Sequence, residues 1–223
     1  MAVGTPPLSY AYGAEMTDET GIGPLTLGAY LREVCGRYGP REAAVLREGQ
    51  AVERWTYAEL WARSVEVAQA LIACGVGHGN RVGILMTNRL EFLSAFFGTA
   101  LAGGVATTIS TFFTATELDE VLRAANCSVL LFERQVLRKD FAEMLRALEP
   151  EIGIAAPGAL ASRRYPWLRH LAAVGGAGGD GQGAGAIEDW DQFLARGNLV
   201  SPQQVDATAA AVRPSDPGTL FFS

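Results

Sequence analysis

Residues 75–110 read GVGHGNRVGILMTNRLEFLSAFFGTALAGGVATTIS, and this stretch decides the fold. Residues 81–87 are an apolar run of strand length. Asn88 and Glu91 stand where a helix opens, and apolar residues at helical spacing carry it to about Ala102. The Gly103-Gly104 pair stops that helix, and 105–109 reads as a second apolar strand. Unbroken apolar strands joined by an amphipathic helix describe a parallel sheet covered on both faces. Between Glu91 and Glu117 no residue is charged, which is the length of a membrane span. Seven hydroxyl side chains from Ser94 to Thr114, with the glycine pair, favour instead a buried helix, a turn and a buried strand.

The pattern extends in both directions. Downstream, Thr114 and Glu117 stand in capping-box spacing, so a helix is expected to about Ala125. A strand at 128–132, a helix near 136–148 and weaker strands at 151–155 and 170–174 follow. Upstream, Thr56 and Glu59 form a second capping box for a helix that Gly75 and Gly77 end. Residues 43–46 and 51–57 flank Arg47-Glu48-Gly49-Gln50 as a hairpin, and 27–38 is an amphipathic helix. Residues 1–24, rich in Gly, Pro and Thr, are expected to be a partly ordered N-terminal arm. Residues 175–186 hold seven glycines and read as a flexible loop. A short helix at 187–196 and a polar, alanine-rich connector lead to 216–223, a turn and a strand-like apolar run. The fold class expected is α/β: a doubly wound, mostly parallel sheet flanked by helices, over residues 25–223.

Composition excludes several functions. The 223 residues carry a net charge of −6, so there is no basic stripe to displace counterions from nucleic acid. Lys139 is the chain's only lysine; arginine carries the remaining cationic charge, as in a GC-rich, bacterial coding sequence. Cys35, Cys74 and Cys127 have neither metal nor disulfide spacing and suit buried positions in a protein of the reducing cytoplasm. No lysine or arginine precedes Arg32, so a signal-peptide n-region is not expected.

The chemistry-bearing residue types are sparse. Gly176, Gly178 and Gly181 match G-x-G-x-x-G, a dinucleotide phosphate loop if a helix opens behind it. Further glycines follow instead, in a segment where the pattern arises by chance. His78 and His170 have no adjacent nucleophile or carboxylate and read as surface histidines. Glu117, Asp119 and Glu120 suit the first turn of a helix, where negative charge complements the dipole. Arg163, Arg164, Trp167 and Arg169 form a basic-aromatic cluster that reads as a solvated helix face, with a CoA-phosphate contact as the alternative. These residues alone describe a cytosolic α/β domain with no visible active site.

Three segments carry a resemblance. Trp55-Thr56-Tyr57-Ala58-Glu59-Leu60 resembles the first core motif of the AMP-forming adenylate ligases: acyl-CoA synthetases, adenylation domains and firefly luciferase. Residues 75–110, with the helix start Thr114-Ala115-Thr116-Glu117-Leu118, are similar to that family's second core region. Residues 216–223 are similar to the strand leading into its phosphate loop. The resemblance spans roughly residues 27–223, and the order and spacing of the three segments make it specific.

The resemblance implies an ATP-dependent, AMP-forming acyl-CoA ligase acting through an acyl-adenylate, with a carboxylic acid, ATP and CoA as partners and Mg2+ as cofactor. The charge balance and the hydroxyl-rich stretch already argue against nucleic acid and a membrane span, and a homodimer stays open. Ser223 alone matches a site position, the first hydroxyl of the phosphate loop; no catalytic residue and no metal ligand carries over. Residues 25–223 are therefore expected to be the incomplete N-terminal subdomain of the ligase domain, and residues 1–223 to be inactive alone and to bind none of these cofactors tightly. Thr108 and Thr111 stand where relatives often carry proline, which leans towards fatty or other bulky acyl acids. Two rivals remain: a nicotinamide-dependent oxidoreductase built on Gly176–Gly181, and a non-catalytic α/β interaction module.

Overall fold

The computed structural model describes residues 25–176 and 185–222. Its centre is a six-stranded sheet of β3 (Arg81–Leu85), β4 (Val105–Thr108), β5 (Cys127–Glu133), β8 (His170–Val174), β9 (Ile187–Asp189) and β10 (Thr219–Phe221). The strand order is β10-β4-β3-β5-β8-β9, and every neighbouring pair is parallel. The doubly wound α/β architecture expected from residues 75–110 is the one observed.

The winding follows from strand alternation. Val129 and Leu131 of β5, with Val82, Ile84, Ala172 and Val174, point into one core. Leu130 and Phe132, with Leu85, Leu171 and Ala173, point into the other. The first core is covered by α1 (Leu27–Tyr38), α2 (Tyr57–Ala73), α3 (Leu90–Leu101), α6 (Trp190–Ala195) and α7 (Pro202–Ala211). The second is covered by α4 (Ala115–Ala125), α5 (Phe141–Leu148) and residues between Ile152 and Leu168. A hairpin, β1 (Glu42–Glu48) and β2 (Ala51–Thr56), delivers the chain to α2.

Both expected capping boxes form. Thr56 Oγ1 accepts from Glu59 N at 3.2 Å while Thr56 N donates to Glu59 Oε2 at 2.7 Å. Thr114 and Glu117 make the same reciprocal pair at 3.4 and 2.8 Å. The uncharged stretch from 92 to 116 is α3, a turn at Gly103 (φ +73°) and β4. Among the described residues no helix is long and apolar enough to cross a membrane.

Four local expectations are corrected. The helix read at 136–148 begins only at Phe141, because Asp140 caps it by accepting from Glu143 N at 3.0 Å. Residues 135–140 form a small hairpin instead, β6 (Gln135–Val136) and β7 (Lys139–Asp140). The strand read at 151–155 is a 3₁₀ turn, Pro150–Gly153, with Ile152 buried and Ile154 76% exposed. The helix read at 187–196 opens as strand β9 and becomes helical only at Trp190. The connector read after it contains α7, started by Ser201 with Pro202 at its first position. The expected arm at 1–24 and residues 177–184 of the glycine-rich loop lie outside the described residues.

Candidate functional site

The chain leaves β3 for α3 on one face of the sheet and leaves β4 for α4 on the other. Adjacent strands whose connections part in this way open a crevice at their carboxyl ends, where open α/β sheets bind ligands. A cleft of about 570 Å³ lies there, within the range of small-molecule sites. Its walls come from the ends of three strands: Met86–Asn88 after β3, Ile109–Phe112 after β4, and Glu133 with the 135–139 segment after β5. Phe112, 81% exposed, and Leu137, 90% exposed, are the large apolar side chains at its edge. Leu137 takes φ +55° at the hairpin tip, the left-handed region that costs a branched side chain energy.

The polar groups of the cleft are organised by Glu133. Its Oε2 accepts from Thr87 N at 3.0 Å and from the Thr87 hydroxyl at 2.6 Å. Its Oε1 pairs with Arg89 Nη1 at 3.1 Å. Arg89 also forks onto Glu91, with Nε to Oε2 at 2.7 Å and Nη2 to Oε1 at 3.0 Å. Partial burial is the largest influence and opposes the charge on Glu91, yet the Arg89 hydrogen bonds, the Glu91 backbone N–H and the charges of Arg89 and Arg63 together outweigh it, and the carboxyl sits below the usual glutamate range. The turn from β3 into α3 is thus held by ion pairs; Arg89, at the N-cap position, makes no side-chain cap bond, because a guanidinium has no acceptor to offer the helix N–H groups. From the wall that also carries Glu133, Lys139 Nζ donates to the carbonyls of Thr111 and Phe113 at 2.9 and 2.8 Å.

None of Thr87, Arg89, Glu133 and Lys139 stood out in the sequence as a site residue. The available signals were weak: an acid ending an apolar strand at Glu133, and a lone lysine at 139.

The residues singled out from the sequence scatter. Ser223 lies outside the described residues. β10 runs parallel to β4 with Phe221 opposite Thr108, so its carboxyl end points to the same end of the sheet as the cleft. Among the described residues no group of three or more His, Cys, Asp or Glu is arranged to hold a metal ion. Of the G-x-G-x-x-G pattern, Gly178 and Gly181 also lie outside the described residues. Gly176 has φ +92° and follows β8, and the next regular element described is β9, a strand at the sheet edge.

His78 does have a carboxylate partner: its Nε2 lies 3.1 Å from Asp216 Oδ2 in the turn before β10. That pair sits at the amino ends of the strands and lines a smaller cavity of about 290 Å³, together with glycines, prolines and apolar residues such as Leu27 and Val212. His170 is half-buried, not a surface histidine. Burial, then Arg196 and Arg169, hold its pKa below the ordinary histidine value.

Asp119 is not a simple dipole partner. It is 6% exposed and accepts from Arg164 Nε and Nη2 at 2.6 and 2.7 Å and from the Tyr165 hydroxyl at 2.8 Å. Arg164 therefore belongs to a polar anchor and not to a solvated helix face; residues 157–169 form no helix. Cys35 and Cys127 are buried and Cys74 partly so, with burial pushing the thiols of Cys74 and Cys127 up to about 12.

Comparison with known proteins agrees with this architecture. The family model described as AMP-binding enzyme matches residues 31–195, which include every residue lining the cleft. A putative acyl-CoA synthetase of Bacillus subtilis, YngI, is 32% identical over 150 residues, 67% of this chain and 27% of that protein. The human mitochondrial medium-chain acyl-CoA ligase ACSF2 is 30% identical over 167 residues, 75% of this chain and 26% of that protein. The chain thus spans about a quarter of these curated relatives. The crystal structure of the anthranilate CoA ligase AuaEII with anthranoyl-AMP superposes with a TM-score of 0.58 at 19% identity, covering 90% of this chain and 30% of that one. It shares the fold.

Proposed function

The chain belongs to the AMP-binding enzyme family, and on that premise we propose that the protein carrying it is an ATP-dependent, AMP-forming acyl-CoA ligase. In the first step a carboxylate oxygen of the acid attacks the α-phosphorus of ATP, and pyrophosphate leaves. In the second a thiol sulfur attacks the acyl carbon, AMP leaves with the carbonyl–oxygen bond pair, and the thiol proton passes to solvent. The observation that carries the reading is the position of the 570 Å³ cleft, at the switch point of the sheet and wholly inside the family match. Relatives that are themselves acyl-CoA synthetases and ligases support it.

The cleft's chemistry fits a share of such ligands. Met86, Ile109, Phe112, Val136 and Leu137 offer apolar surface, and Ser110, Thr111 and Lys139 offer donors. The acid is proposed to be a fatty or other bulky acyl acid, in keeping with Thr108 and Thr111 and with the medium-chain relative. Magnesium would offset phosphate charge in the adenylation step. The described residues hold no cluster of ligands for it, so no step is assigned to it. Attack and departure at phosphorus need fixed donors around the phosphates, and the described part of the cleft supplies few. Residues 1–223 alone are therefore proposed not to turn over. Three free cysteines suit a reducing compartment.

The test is an assay of the protein carrying this chain, with ATP, CoA and a series of straight-chain and aromatic acids. Acid-dependent release of AMP and pyrophosphate, with one acyl-CoA formed per AMP, is expected. ADP and phosphate as products, or nucleotide turnover that ignores the acid, would overturn the reading. Acid-dependent pyrophosphate release by residues 1–223 alone would overturn the second part.

A further inference from the structure

Lys139 joins two segments that nothing in the sequence places side by side. It stands on β7, in the hairpin between β5 and α5, and its ammonium donates to the carbonyls of Thr111 and Phe113 in the loop between β4 and α4. These segments rise from strands on either side of β3 and form facing walls of the cleft. Ile109 N ties the start of the loop to β3 through the Ile84 carbonyl at 2.9 Å, and beyond it the bonds are local: Phe112 N donates to Ser110 Oγ at 3.2 Å and Phe113 N to the Ser110 carbonyl at 3.4 Å. Such turns shape the loop without fixing where it sits relative to the hairpin.

An ammonium is suited to the task. It carries three donors on one atom and so satisfies two convergent carbonyls at once, through charge-assisted bonds stronger than those a hydroxyl or amide would make. The ammonium also lies over the Phe141 ring, 6.0 Å from its centroid, within reach of a cation–π attraction. An arginine fork or a glutamine amide would place its donors differently over the same two oxygens.

We propose that Lys139 is the positioning residue of the cleft: by holding the 111 and 113 carbonyls it sets the spacing between the two walls and the presentation of Ser110, Thr111 and Phe112 to the ligand. The assignment rests on the reading of the cleft as part of the ligase site.

Lys139→Met keeps the apolar stem and removes the donors. Amide hydrogen exchange in residues 109–114 is expected to speed by at least about tenfold, with β3 and β5 unchanged. In the ligase assay, KM for at least one substrate should rise about tenfold with kcat within about twofold. Lys139→Arg, which keeps charge and donors, should recover part of both effects. The assignment is overturned if loop exchange is unchanged in Lys139→Met, if exchange rises equally through β3 and β5, or if kcat falls with KM constant. A wild-type protein with no ligase activity would sink the functional reading, while the exchange data would still decide whether Lys139 holds the loop.

Discussion

The two faces of the sheet are held by different physics. On the face covered by α2 and α3, the helices approach so closely that Gly98 has no room for a side chain. A Cβ there would lie 2.7 Å from Val67 Cβ and Cγ1 and 2.9 Å from the Ser64 carbonyl. On the face covered by α4 and α5, space is left that residues 157–169 fill without regular structure. That segment is anchored by Asp119 through Arg164 and Tyr165, with Arg123 3.2 Å away. Close apolar packing needs only small residues at the right period. An irregular segment needs one specific polar partner, because it has no periodic stripe to bury. The cleft opens where the loops of the two faces part, and it draws one wall from the first face and two from the second.

Gly98→Val attacks the first face and should have the largest effect. The new side chain meets backbone as well as Val67, and neither helix can move without disturbing β3 and β4. A loss of about 3 kcal/mol is expected, at the upper end of overpacking costs, read from urea unfolding. A loss below about 1 kcal/mol would mean that α2 and α3 can separate, and the contrast between the faces would disappear.

Asp119→Asn attacks the second face. Hydrogen bonds from Arg164, helped by Tyr165 and Arg123, hold the Asp119 carboxyl below the usual aspartate range against the cost of burial. A depressed folded pKa contributes stability at pH values above the unfolded pKa and loses it as pH falls through the folded value. The variant should therefore melt below wild type at pH 7, by less than Gly98→Val, and the gap should narrow in acid. Exchange should rise first in residues 157–169. A gap that is the same at pH 7 and pH 3 would show that packing, and not the charge, anchors the segment.

The same contrast explains what the sequence revealed. Thr56 with Glu59, Thr114 with Glu117 and the glycines at 75 and 103 are local signals, and they placed α2, α4, β3 and β4 within a residue or two. The helix α7 escaped because Val205 is its one buried residue, so no apolar stripe marks it; Ser201, Pro202 and Gln204 were the start signal. Residues 151–155 misled because Ile152 and Ile154 alternate as in a strand, although only Ile152 is buried. The site was less legible than the fold. Asp119 and Arg164 are 45 residues apart, and Thr87 and Glu133 are 46 apart. A charge at a strand end looks like a solvent boundary until the partner strand is known.

The smallest expected effect separates stability from function. Thr56→Ala removes the cap of α2 on the first face, and Thr114→Ala removes the equivalent cap of α4 on the second. The geometry of the two boxes is nearly the same, so each change should cost about 1 kcal/mol. Their consequences should differ. The first turn of α4 follows directly on the 109–113 loop of the cleft, whereas α2 begins at the β1–β2 hairpin. Thr114→Ala should therefore loosen amides 110–114 and weaken substrate binding, and Thr56→Ala should lower the melting temperature alone. Equal losses of stability with equal changes in KM would mean that the cleft is sensitive to the whole domain and not to the loop that Lys139 holds.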